Sequence, residues 1–233
     1  MAGEKEVVIS ELDNKKGLNK TSKVLAINGS PRKNANTAIL LQKALEGAAS
    51  AGAETELIHL IDLRYQGCIS CFACKRKGTK FIGSCALQDD LTPVLEKAMQ
   101  SDAVILGSPI YLADVTALMR AFIERLGFMN ISYDKKGRNA FIGKINAAFF
   151  YTMNVSKLAS ALFSYVYIFN TGLLKRCLRG RVEQLICADT WQFDDYDKYM
   201  ASNFDVAQKR KTRETVFPKD CEKAYQIGKR LSN

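Results

Sequence analysis

Five short apolar runs recur along this chain, separated by segments with helical spacing, and no other feature narrows the possible folds as far. Val24–Asn28 is a continuous apolar run and Glu54–Leu60 alternates polar with apolar residues. Ala103–Gly107 and Ala147–Tyr151 are again apolar, Val182–Cys187 ends in Leu185-Ile186-Cys187, and together the five segments predict five strands. Between them, Thr37–Ala51, Asp90–Gln100, Val115–Leu126 and an apolar stretch near 157–175 predict helices. Lys219–Leu231, with Pro218 ahead of it, predicts a closing helix. Strands alternating with helices imply an α/β fold, a parallel sheet covered on both faces, and five strands suit the doubly wound order 2-1-3-4-5. Of the 233 residues 47% are hydrophobic, enough for one sizeable core. One domain over residues 23–233 is expected, with a cysteine-rich loop at 64–90 and a charged, weakly patterned extension at 1–22.

Ligands of doubly wound sheets bind beyond the carboxyl ends of the strands, where the strand order reverses. After the first strand comes Asn28-Gly-Ser-Pro-Arg32, and Asn36-Thr37 then opens a helix. Free backbone N–H groups and the positive end of a helix dipole attract a phosphate. Gly-x-x-x-x-Gly-Lys-Ser/Thr is absent, so nucleotide hydrolysis has no phosphate-loop lysine. Gly-x-Gly-x-x-Gly is absent too, so the dinucleotide turn is missing. A hydroxyl- and amide-rich cradle for a phosphate monoester remains, beside the plainer alternative of an ordinary helix cap. After the third strand comes Gly107-Ser-Pro-Ile-Tyr-Leu-Ala-Asp114. Pro109 forces an extended turn there, and Ile110, Tyr111 and Leu112 offer apolar faces and backbone amides to a flat ring. Thr152, Met153 and Asn154 follow the fourth strand and are placed to form a third wall.

Seven cysteines without a secretion signal argue for thiols, a metal or redox chemistry and for a cytoplasmic protein. Cys68, Cys71 and Cys74 repeat at three-residue spacing and Cys85 follows eleven residues later. Soft thiolates suit a [4Fe–4S] cluster or zinc, a thiol/disulfide pair fits the same residues, and the spacing does not choose among them. Cys177, Cys187 and Cys221 fall on predicted elements and read as packing residues. His59, the only histidine, sits between Ile58 and Leu60 in the second strand and reads as structural. Hydride transfer through a cofactor does not need general acids and bases, whereas most hydrolytic mechanisms do, so no catalytic side chain is assigned. The formal charge of +10 is concentrated in Lys175-Arg176, Arg179, Arg181, Lys209-Arg210-Lys211 and Arg213. Without a binding motif or interleaved aromatics these clusters do not predict nucleic acid, and anionic cofactors or acidic partners account for them. Ser160, Ser164, Asn170 and Thr171 interrupt the stretch from Leu158 to Leu174, so no membrane span is expected.

Asn28-Gly-Ser-Pro-Arg32 with Asn36-Thr37, the cysteine loop ending in Asp89-Asp90, Gly107-Ser-Pro-Ile-Tyr111 and Met119-Arg-Ala-Phe-Ile-Glu-Arg125 stand in one order. In that order the chain resembles the flavodoxin-like NAD(P)H-dependent FMN reductases, and the cysteine loop is similar to that of their iron–sulfur flavoprotein branch. The resemblance covers residues 23–130 and implies FMN held without a covalent bond. Its phosphate would lie on Ser30, Arg32, Asn36 and Thr37, and its ring against Pro109, Ile110, Tyr111 and Leu112. It further implies NAD(P)H as hydride donor, a quinone, nitro or azo compound or another flavin as acceptor, and a homodimer or homotetramer. If Cys68, Cys71, Cys74 and Cys85 ligate a cluster, the alternative is an electron carrier fed by ferredoxin. A third reading, of another class, is a redox- or metal-sensing interaction protein that works through the cysteine loop.

Overall fold

The structure, a computed structural model, describes residues 21–133 and 143–232. Of the extension expected at 1–22, only Thr21 and Ser22 fall within those residues. The strands are β1 (Lys23–Asn28), β2 (Glu54–His59), β3 (Ala103–Tyr111), β4 (Asp114–Val115), β5 (Ile145–Thr152) and β6 (Arg179–Cys187). The sheet runs β2-β1-β3-β5-β6 with parallel pairing throughout, and β4 turns back antiparallel onto the end of β3. With the two-residue β4 set aside, this is the expected flavodoxin-like order.

Side chains alternate across a strand, so a buried sheet must feed two cores. Leu25, Ile27, Val104, Leu106, Ala147, Phe149 and Tyr151 point to one face, covered by α2 (Leu91–Gln100), α3 (Ala117–Asn130) and α4 (Ser164–Leu178). Val24, Ala26, Ala103, Ile105, Ala148 and Phe150 point to the other, covered by α1 (Asn36–Ser50) and α6 (Phe217–Leu231). Phe149 and Phe150 are both fully buried on opposite faces, each burial contributing about 2 kcal/mol. Helices α1 and α6 touch through glycines. A Cβ on Gly228 would lie 1.8 Å from Ala44 O, and one on Gly47 would lie 2.0 Å from Tyr225 O.

The structure adds to the expected elements at three places. Ser108–Tyr111, expected as a loop, prolong β3: Ser108 and Pro109 pair with β5, and Ile110 and Tyr111 pair with β4. The apolar segment near 157–175 begins as a 3-10 turn, Ala159–Phe163, before α4. One face of α4 buries Val166, Tyr167 and Leu174, while Tyr165, Ile168 and Phe169 are exposed. Lys209-Arg210-Lys211, expected as part of a basic surface, lies on an unexpected helix α5 (Val206–Thr215), and Lys209 is buried there. No helix among the described residues is long and apolar enough to cross a membrane.

Candidate cofactor cleft and cysteine recess

The segments that follow β1, β3, β5 and β6 enclose a cleft with ≈ 560 Å³ of empty space, counted to its open mouth. Its first wall grows out of the sheet. Gly29 N donates to Gly107 O at 2.8 Å, prolonging the β1–β3 ladder, and Thr116 Oγ1 donates to Gly29 O at 2.7 Å. Glycine is needed at 29, because a Cβ there would sit 2.7 Å from that of Met119. Asn28 Oδ1 accepts from Ser30 N at 3.0 Å and Ser30 Oγ accepts from Arg32 N at 3.1 Å, which bends the chain toward α1. That helix has Ala35 at its N-cap, with no side-chain cap and no acid in its first turn. Its first amides therefore have no acceptor within the helix, a local positive end suited to an anion.

Three buried hydroxyl residues lie at this wall. Ser30 and Thr37 come from the loop and helix, and Thr152 from the end of β5, with Thr37 Oγ1 and Thr152 Oγ1 sharing a hydrogen bond of 2.8 Å. Pro109, Ile110 and Tyr111 form the second wall along the end of β3, and Tyr111 is half exposed. Leu112, expected beside them, is fully exposed and does not line the cleft. It and Ala113 take φ values of 47° and 70° in the tight turn to β4, a backbone state costing about 1–3 kcal/mol for each such residue. Met153 and Asn154 join Thr152 as the third wall. Asn154 Nδ2 donates to Gln192 Oε1 at 2.6 Å, while its Oδ1 is buried without a partner among the described residues.

Arg32 and Asn36 line the cleft but are engaged with the segment after β6. Arg32 Nη1 donates to Gln192 O at 2.6 Å, and Asn36 Nδ2 donates to Trp191 O at 2.7 Å. Asn36 Oδ1 accepts from Arg213 Nη1 at 2.9 Å. Thr190 and Gln192 complete the lining and were absent from the sequence expectations. Applying the strand-end rule to the fifth strand as well as the first, third and fourth points to both. Behind them Lys209 Nζ donates to Asp189 Oδ1 at 2.6 Å and to Asn154 O at 2.7 Å, while Thr212 Oγ1 donates to Asp189 Oδ2 at 2.8 Å. This buried network ties α5 to the segments that carry Asn154 and Thr190.

The cysteine-rich loop is closed at its base. Arg64 N donates to Asp90 Oδ2 at 2.8 Å, and Arg125 on α3 pairs with Asp89 at 2.6 Å. Burial pushes the Asp89 carboxyl up, but the hydrogen bonds and charge of Arg125, with backbone N–H donors, outweigh it and hold it below the usual carboxylate range. Cys68, Cys71, Cys74 and Cys85 all line one recess with Phe72, Leu87, Phe128 and Met129. Burial pushes the Cys74 thiol up, Lys75 draws it down, and the other three thiols push it up again. Among the described residues no three His, Cys, Asp or Glu side chains are arranged to hold a single metal ion. Cys177 and Cys187 are buried in the two cores and Cys221 packs against the second, as expected for packing residues.

A doubly wound parallel sheet in this strand order, with loops gathered beyond its carboxyl edge, defines a flavodoxin-like fold. Residues 22–177 match the NADPH-dependent FMN reductase family, and the chain belongs to that family. It is 36% identical over 116 residues to an iron–sulfur flavoprotein of Methanocaldococcus jannaschii, covering 50% of this chain and 58% of that protein. It is 41% identical over 103 residues to an iron–sulfur flavoprotein of Archaeoglobus fulgidus, covering 44% and 48% respectively. The chain thus spans about half the length of the curated relatives it matches. Among solved structures the fold is similar to an NAD(P)H:quinone oxidoreductase from Methanothermobacter marburgensis, with a TM-score of 0.65, 15% identity and coverage of 92% and 98%. An azoreductase from Bacillus anthracis gives a TM-score of 0.64 at 14% identity, with coverage of 90% and 100%.

Proposed function

We propose that this chain is an oxidoreductase that binds FMN in the cleft, takes hydride from NAD(P)H and passes electrons to a small acceptor such as a quinone, a nitro or azo compound or a second flavin. One observation carries the reading: the uncapped start of α1 and the buried hydroxyls of Ser30, Thr37 and Thr152 stand in one cleft with the flat wall Pro109–Tyr111. The donor set fits a phosphate monoester. Ser30, Thr37 and the first amides of α1 offer hydrogen bonds, and Arg32 offers charge once released from Gln192 O. The unpartnered Asn154 Oδ1 fits the other end of such a ligand, which carries hydroxyl and ring N–H donors. Bound FMN supplies a carrier that accepts two electrons as hydride. Pro109, Ile110 and Tyr111 would support its ring, and Asn154 Oδ1 would accept from one of its N–H or O–H groups.

A second reading follows from the recess. Four cysteines lining one recess offer the soft thiolate donors that a [4Fe–4S] cluster takes. The relatives named as iron–sulfur flavoproteins support this reading. Cys68, Cys71, Cys74 and Cys85 would then hold the cluster, and the chain would relay electrons between it and the flavin, with ferredoxin as a source.

The deciding experiment is an anaerobic visible spectrum of the purified protein, with FMN, iron and acid-labile sulfide assays. Yellow protein bleached rapidly by NADPH or NADH supports the reductase. Rapid bleaching by reduced ferredoxin alone supports the carrier. Colourless protein that takes up no added FMN overturns both and leaves the sensing role of the cysteine loop.

A further inference from the structure

Arg125 occupies a position where a cation is costly. It lies on α3 among Phe122, Ile123, Leu126 and Met129, and its side chain is 0% exposed. A guanidinium removed from water persists only where acceptors meet its N–H groups. Nη1 donates to the two Asp89 oxygens at 2.7 and 2.6 Å, and Nη2 donates to Thr92 Oγ1 at 3.1 Å. Nη1 also donates to Gln66 O at 3.5 Å, so both terminal nitrogens have acceptors. Arg125 also lines the cysteine recess, and its Nε is buried without an acceptor among the described residues.

Two neighbouring charged residues have hydrogen-bond partners of their own. Lys75 Nζ donates to the carbonyls of Phe128 and Ile131 at the end of α3, and Glu124 Oε2 accepts from Cys68 N at 3.3 Å. Arg125 thus lines the recess as a buried cation with Nε to spare, and Asp89 anchors it through Nη1.

We propose that Arg125, anchored by Asp89, is the positioning residue of an anionic four-cysteine centre, supplying charge and an N–H donor to whatever Cys68, Cys71, Cys74 and Cys85 jointly hold. The inference rests on the cluster reading given above. A cation and N–H···S bonds favour the more negative oxidation state of a cluster, so Arg125 raises its reduction potential. Removing the cation lowers the potential, whereas removing the carboxylate behind it raises the potential. Damage to packing alone moves neither potential in a defined direction.

The test is an EPR-monitored redox titration of protein purified without oxygen, or reconstituted with ferrous iron and sulfide. Wild type is compared with Arg125→Gln, Arg125→Lys and Asp89→Asn. The expected result is a midpoint shifted negative in Arg125→Gln, shifted less in Arg125→Lys, and shifted positive in Asp89→Asn. Should Arg125→Gln lose the centre altogether, Arg125→Lys and Asp89→Asn still give opposite shifts under the proposal. Shifts of the same sign, or midpoints equal to wild type in variants that retain the centre, overturn the role of Arg125. Wild-type protein that holds neither iron nor sulfide after reconstitution overturns instead the cluster reading beneath it.

Discussion

Asn28 Nδ2 lies 2.9 Å from His59 Nδ1, joining the ends of β1 and β2 immediately behind the first wall of the cleft. The same amide turns its oxygen to Ser30 N at 3.0 Å, so its orientation is set by both partners. An amide nitrogen only donates, hence Nδ1 accepts and the imidazole proton sits on Nε2. The sole histidine, structural as expected, therefore holds the residue that shapes the Ser30 turn.

Burial lowers the His59 pKa first and Lys33 lowers it further, with Asp62 opposing them. The folded pKa thus lies below the unfolded value of about 6.5. Above that value both states are neutral and the contribution to stability is complete. As pH falls through the window below it, the unfolded chain binds the proton first and stability drops. Protonated Nδ1 also cannot accept from Asn28. Thermal stability and FMN affinity should both decline below about pH 6.5, with a shallower decline in His59→Gln. Equal pH slopes for wild type and variant between pH 5 and 7 would show that the Asn28–His59 bond does not couple to the loop.

Thr37→Val removes one hydroxyl of the Thr37–Thr152 pair while keeping the shape. FMN affinity should fall about tenfold, roughly 1.4 kcal/mol, and riboflavin, which lacks the phosphate, should bind the variant and wild type alike. Fluorescence titration of apoprotein with the two flavins checks both. A matching loss for riboflavin would move Thr37 away from the phosphate.

Lys209→Met strands Asp189 beside α5, where its side chain is only 22% exposed. Removing one partner of a buried pair costs about 3 kcal/mol, read as a lower urea midpoint. The double variant Lys209→Met/Asp189→Asn should recover part of that loss. A Lys209→Met midpoint equal to wild type would mean that the pair contributes nothing.

Gly228→Ala drives a Cβ to 1.8 Å from Ala44 O in α1. Backbone cannot yield there as a side-chain tip can, so the variant should lose about 3 kcal/mol of stability. Chemical denaturation measures it, with Gly78→Ala, where a Cβ meets nothing but φ is +74°, separating conformational strain from collision.

Much of this was legible in the sequence for a physical reason. Val24–Asn28 and Ala103–Gly107 are buried on both faces, so their apolar runs announce central strands without help from other segments. The turns after them were recognisable because the carboxyl ends of such strands carry the ligand loops. Leu112 and Ala113 were not recognisable as a tight turn, because neither is a residue that favours positive φ. Thr190 and Gln192 carry no motif and acquire a role only when β6 is placed beside β5.

Local sequence by itself determined five of the strands, five of the helices and the two segments at the switch point, because each depends on residues near in sequence. Tertiary structure alone decided which polar groups are surface and which are site. Lys209 sits in a basic run that reads as solvated, yet Asp189 and the carbonyl of Asn154, 20 and 55 residues away, make it a buried clamp. Arg125 likewise becomes a recess cation only because Asp89, 36 residues distant, closes the cysteine loop beneath it. A charge's surroundings are set by segments that arrive from elsewhere in the chain, and no local pattern encodes that arrival.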